Sequence, residues 1–168
     1  MSAALKVLLL ITYLSICYQD FKAREVYLLA YLILYGLLLL AVLKTRVLLN
    51  IDFFIINSCI LFAVTCILVM YYLIRYPHST LSKLKTSVGW GDVLMLPAFI
   101  VSFSPVNLIV VFILSLVLSL IYYVVSNTCS SRVKTIPLAG IQSLVLSVIL
   151  CAESLGFLTM KVDFFPLF

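Results

Sequence analysis

The chain has 168 residues, 65% of them hydrophobic and 10% charged, with a mean hydropathy of +1.30. Soluble globular domains are about half apolar, so this composition excludes a soluble enzyme and predicts a polytopic membrane protein. The net charge is +5 and the pI about 9.0, but the basic residues are scattered between apolar runs rather than gathered on one segment. That scatter argues against a nucleic-acid partner and for the lipid bilayer as the surrounding medium.

A helix needs about 20 mainly apolar residues to cross roughly 30 Å of hydrocarbon. On that criterion the sequence predicts an all-α bundle of six transmembrane helices, near residues 3–18, 26–43, 53–74, 88–103, 107–125 and 136–158, forming a single domain over 1–168. The first run follows Lys6 and has the look of a secretory signal, with Leu14-Ser15-Ile16-Cys17 like a lipoprotein cleavage site. Ile16 is too bulky for the small residue that such a cleavage needs, so the run reads as a retained helix. Pro77, Pro105, Pro137 and Pro166 stand at predicted ends or breaks. Pro97 falls inside the fourth helix and removes the N–H that would serve the carbonyl of Val93. That end is therefore expected to line a wet cavity or to pack against protein. Gly36 and Gly156 are candidate close-packing points between helices.

Placing the loops after the first, third and fifth helices on one side gives that side Lys22, Arg24, Arg75, Lys83, Lys85, Arg132 and Lys134. The other side keeps Lys6, Lys44, Arg46 and Lys161. The positive-inside rule then sets the first side in the cytoplasm, and with it Asp20 and Asp92. Tyrosines near predicted helix ends, among them Tyr18, Tyr27, Tyr71, Tyr72, Tyr122 and Tyr123, read with Trp90 as interface anchors.

The chemistry narrows by elimination. Five cysteines, at 17, 59, 66, 129 and 151, form no Cys-x-x-Cys pair and have no histidines at ligand spacing, so no metal is expected and most read as small packing residues. His78 is the only histidine and lies in a polar loop, where it reads as solvated. No metalloprotease His-Glu-x-x-His, no Gly-x-Ser-x-Gly elbow and no phosphate-cradling loop is present. Carboxylates remain. Asp52 reads as a first-turn helix residue, Glu25 as a surface charge beside Lys22 and Arg24, Glu153 as structural, and Asp163 lies in the tail. Asp20 and Asp92 stand apart, because each closes or opens an apolar helix at the same membrane face. Asp92 is framed by Gly89 and Gly91, which leave room for another backbone. Taken singly, Asp20 reads as an ion-pair partner of Lys22 or Arg24, and Asp92 as a helix N-terminal residue held by backbone N–H groups. Taken together they read as a catalytic dyad. Two carboxyl groups within a few Å cannot both ionise, so one acts as base on a water and the other as acid on a peptide carbonyl.

Gly89-Trp90-Gly91-Asp92 resembles the Gly-x-Gly-Asp signature of intramembrane aspartic proteases, and the order of parts is similar to the type IV prepilin peptidases, including preflagellin peptidases. Tyr18-Gln19-Asp20-Phe21-Lys22-Ala23-Arg24 corresponds to the first aspartate closing a helix ahead of a basic turn. Thr135-Ile136-Pro137-Leu138-Ala139-Gly140 corresponds to the Ile-Pro segment that opens the last helix. The chain departs from the family in having Val26 and Tyr27 where a proline is common and Leu94 where a lysine is common. The cysteine-rich domain of the larger bifunctional members has no counterpart in these residues. The resemblance implies an aspartic endopeptidase, with Asp20 and Asp92 catalytic and Gly89 and Gly91 supporting, that needs no cofactor. Its partner would be a membrane-embedded prepilin-like precursor, cut at the cytoplasmic face of the cell membrane. Two other classes compete: a small proton-coupled transporter subunit with Asp92, Gln142 and Glu153 along a polar path, and a catalytically inactive membrane assembly factor.

Overall fold

The computed structural model describes residues 3–23, 26–45, 51–75, 89–129 and 137–156. Among these residues six helices follow one another, α1 (Ala3–Ala23), α2 (Leu28–Thr45), α3 (Ile51–Arg75), α4 (Trp90–Ser102), α5 (Pro105–Cys129) and α6 (Leu138–Ser154), with no strand. Among the described residues three stretches, Ala3–Ala23, Asp52–Arg75 and Pro105–Ser126, are long and apolar enough to cross a membrane. The other three helices are apolar over shorter described stretches, so among the described residues length and composition mark three clear spans of the six that the sequence suggests. The shortening has local causes. Helix α4 stops at an extended Phe103 (φ −126°, ψ 153°), and Pro105 two residues later opens α5, where its missing N–H costs nothing. At 13 residues, α4 is only about 20 Å long.

The bundle is apolar outside and partly polar inside, the reverse of a water-soluble protein. Phe62, Ile67 and Ile74 of α3 and Leu120 of α5 face outward, while Asp20, Asn57, Asn107, Ser115, Gln142 and Ser143 are buried. Such an exterior is stable only against lipid, which makes this a membrane protein. In lipid the helices associate through close packing and interior polar contacts rather than through water exclusion.

Helix α6 is the hub. Ala139 through Ser143 are all buried, as are Val145, Leu146 and Ser147, and the helix packs on α1, α5 and α4. Its most extensive partner is α1, and small residues let the two come close: Gly140 meets Asp20 and Phe21, and Ser143 meets Cys17. Helix α2 leans on α1 and α4, and α3 on α4 and α5. Below the ends of the bundle, Ile16, Leu34, Met95, Ala98 and Phe99 form a layer with no exposure at all.

Polar contacts at both ends fix α4 lengthwise. At its C-terminal end Asn57, buried on α3, donates to the carbonyls of Ile100 (3.0 Å) and Phe103 (2.8 Å), which have no helical partner of their own. At its N-terminal end the Tyr35 hydroxyl donates to the carbonyl of Leu94 and the Tyr31 hydroxyl to that of Gly91 (2.9 Å). The helix continues through Pro97, and the end loosened by that proline is packed against α2.

Several readings from sequence change here. Gly36 has nothing within 4 Å of where a side chain would start, so it is no packing point. Gly156 also meets nothing. It stops α6 instead, adopting φ +79° just past the C-cap, the left-handed position that favours glycine. Cys59, Cys66 and Cys151 lie on the bundle exterior rather than in its packing. The first helix runs to Ala23 instead of stopping near Tyr18, which puts Asp20 inside a helix. Arg24, Glu25, His78, Asp163 and most of the basic residues used for orientation lie outside the described residues.

Candidate active site

Helix α1 buries Leu5, Leu9, Tyr13, Ile16 and Asp20, a stripe with steps of three and four residues that stays on one helical face. Asp20 therefore points inward because it continues the apolar stripe, and it is 8% exposed. Lys22 turns away from it, donating to the Tyr18 hydroxyl (2.9 Å) with its ammonium 5.2 Å from that ring's centre. The side chain of Gln19 accepts a hydrogen bond from the Tyr27 N–H (3.2 Å), which anchors the turn into α2 and so sets where Tyr31 stands.

Asp92 is the third residue of α4, after an N-cap at Gly89 whose backbone is extended (φ −71°, ψ 138°). Glycine has no side chain to cap the helix, and the Asp92 carboxylate folds back to the Gly89 N–H instead. A side chain at Gly89 would begin 3.1 Å from Asp92 Oδ2, so this close return depends on the glycine. Gly91 is tighter from the other side. A Cβ there would stand 3.2 Å from the Tyr31 hydroxyl and 3.5 Å from the Ala139 side chain.

The two aspartates meet at the start of α6. Its N-cap is Pro137, and its first N–H groups have no helical partner. The N–H of Gly140 donates to Asp20 Oδ2 at 2.5 Å, and the neighbouring N–H of Ala139 is bonded to the Asp92 carboxylate. Consecutive amides of one helix turn thus hold one carboxylate each, at the positive end of the helix dipole. The pair lies within electrostatic reach of one another and of Tyr31. Gly140 is tighter still, since a Cβ there would sit 3.0 Å from Asp20 Oδ2 and from the Phe21 ring.

All four residues singled out from the sequence, Asp20, Gly89, Gly91 and Asp92, are brought together. Gln142 and Glu153 are not with them. Gln142 is buried further along α6 with its Oε1 unpartnered, and Glu153 lies at the far end of that helix. The Ala139 and Gly140 amides and Tyr31 complete the site without having been assigned a role from sequence. The Tyr31 and Tyr35 pair, four residues apart in the middle of a hydrophobic helix, was the available signal, because buried tyrosines need hydrogen-bond partners. Among the described residues no three His, Cys, Asp or Glu side chains stand close enough together to hold a metal ion.

The crowding at Gly91 has a measurable consequence. Gly91→Val should force the Tyr31 hydroxyl or α6 away from the aspartates at an overpacking cost of about 1–3 kcal/mol. Hydrolysis of a susceptible peptide is expected to fall at least tenfold with little change in the amount of folded protein. Normal turnover would show that Gly91 serves only the turn.

Compared with family models, curated proteins and solved structures, the chain matches none of them.

Proposed function

We propose that this chain is a membrane aspartic endopeptidase of the prepilin-peptidase type, a six-helix transmembrane bundle that hydrolyses one peptide bond with Asp20 and Asp92 as its dyad. The observation that carries the reading is the pair of neighbouring amides, Ala139 and Gly140, each bonded to a different one of the two aspartates. Carboxylates held on adjacent amides and within electrostatic reach of one another can divide the acid and base roles on one water. The ionised member takes a proton from that water as it attacks the scissile carbonyl, and the protonated member donates to the carbonyl oxygen. The dipole of α6 steadies the negative charge, and Tyr31, whose hydroxyl is bonded to Gly91, keeps the α4 turn in register.

The substrate class follows from the resemblance and from the site's address. The dyad stands at helix ends, beside exposed Trp90 and Tyr27, so it works at a membrane surface rather than at mid-bilayer. A precursor with a short basic leader and an apolar helix would bring its polar–apolar boundary to that level. The excess of lysine and arginine on the side of Asp20 and Asp92 supports the cytoplasmic face of the cell membrane as the site's location.

The test is incubation of the purified protein in detergent with a synthetic precursor of that design. A single cut at the boundary between leader and apolar helix is expected. A proton-conducting subunit would give pH-driven flux in liposomes without cleavage. That path would have to cross the dry layer of Ile16, Leu34, Met95, Ala98 and Phe99. An assembly factor would give neither result.

A further inference from the structure

At the end of the bundle remote from the dyad, α1, α2, α4 and α6 enclose a cavity of about 200 Å³. Lys6 and Glu153 line it, one in the first turn of α1 and the other in the last turn of α6. Fourteen residues of helix separate Lys6 from Asp20, which places this mouth about 21 Å along the bundle from the dyad, towards the opposite leaflet. Between the charges and the apolar core stand two hydroxyls, Tyr13 and Ser102, hydrogen-bonded to one another. The remaining walls are apolar, chiefly Leu38, Val42, Leu146 and Leu150. The cavity is smaller than the roughly 300–1,000 Å³ of a pocket for a drug-sized molecule, so it accommodates a headgroup and the upper part of a chain.

We propose that this cavity is a binding site for a zwitterionic phospholipid with a primary ammonium headgroup, of the phosphatidylethanolamine type. The sequence of groups from mouth to floor matches that molecule. Lys6 would take the phosphate and Glu153 the ammonium; no ion pair joins these two side chains to each other, so both are available to a ligand that carries both charges. Tyr13 and Ser102, at the inner end of the cavity, can donate to the ester carbonyls, and the apolar walls receive the first methylenes. An anionic headgroup would satisfy Lys6 but face Glu153, which disfavours it. This inference depends on the chain lying in a membrane and not on the protease reading.

Native mass spectrometry of the detergent-purified chain with added phosphatidylethanolamine or phosphatidylglycerol tests it. Retention of one phosphatidylethanolamine, at least tenfold preferred over phosphatidylglycerol, is expected. Lys6→Met and Glu153→Gln should each cut that retention about tenfold, and Ala41→Phe, which fills the cavity from its apolar side and leaves both charges, should abolish it. Equal retention of the two lipids by the wild type would overturn the site. So would full retention by Ala41→Phe, whether or not the charge variants fold. Displacement by soluble phosphoethanolamine would overturn a lipid as the occupant. Cleavage of the synthetic precursor is a separate readout, so loss of one reading leaves the other standing.

Discussion

Asp20→Asn and Asp92→Asn should each lower precursor cleavage by about 10²–10⁴-fold or more, the range general acid–base groups contribute, while the protein still inserts and accumulates. The choice of asparagine makes this a test of chemistry rather than of folding. In the structure both carboxylates already have a structural task, because they satisfy the N–H groups of Ala139 and Gly140 that no helical carbonyl can reach. An amide oxygen accepts those same hydrogen bonds, and asparagine serves as well as aspartate at helix N-termini. What it cannot do is exchange a proton with water or with a substrate carbonyl. Loss of cleavage with an unchanged thermal transition in detergent therefore isolates the acid–base role. Alanine at either position would confound the two by leaving a helix N–H without its side-chain acceptor, at about 1–3 kcal/mol. Undiminished processing by either asparagine variant would reduce both residues to helix caps and end the protease reading.

Much of this arrangement could be read from residue order. The stripe Leu5, Leu9, Tyr13, Ile16 to Asp20 aims the aspartate inward once the helix is extended to Ala23, and Gly-x-Gly-Asp marks the second carboxylate without any tertiary knowledge. The partners were harder to see because they are backbone groups. Nothing in the side chains of Ala139 and Gly140 announces that their amides will each face a different aspartate, since that depends on how α6 docks against α1 and α4. Glycines mislead for a related reason: whether one is a packing point depends on what the fold brings to it. Gly36 and Gly156 looked suited to helix contact and meet nothing, while Gly140 receives Asp20 and Phe21 from a helix over a hundred residues earlier. Asn57 belongs to the same class. A polar residue in an apolar run signals an interior partner, but only the fold shows that it closes the last carbonyls of α4 and so fixes the height at which Asp92 sits. Length and apolar composition mark three spans clearly among the described residues, and the breaks at Phe103 and Pro137 bound the shorter apolar helices α4 and α6.

Gly140→Val is expected to abolish cleavage, and Gly140→Ala to reduce it by about an order of magnitude, with stability changing far less than activity. The asymmetry comes from what surrounds the missing side chain. The first added carbon would stand 3.0 Å from both Asp20 Oδ2 and the Phe21 ring, tighter than ordinary contact. Phe21 can yield, because it is 38% exposed and its edge-on contact with Tyr122 lies at the bundle surface. Asp20 cannot yield without lengthening its 2.5 Å hydrogen bond to the very residue being changed. Alanine also gains about 0.5–1 kcal/mol over glycine in helix preference, which offsets part of the crowding and keeps that variant folded. The branched side chain of valine adds an overpacking cost of about 1–3 kcal/mol and drives α1 and α6 apart where the dyad is assembled. Cleavage rate and detergent melting temperature measured on both variants separate these contributions. If valine were as active as wild type, the α6 amides could not be what holds the two carboxylates together.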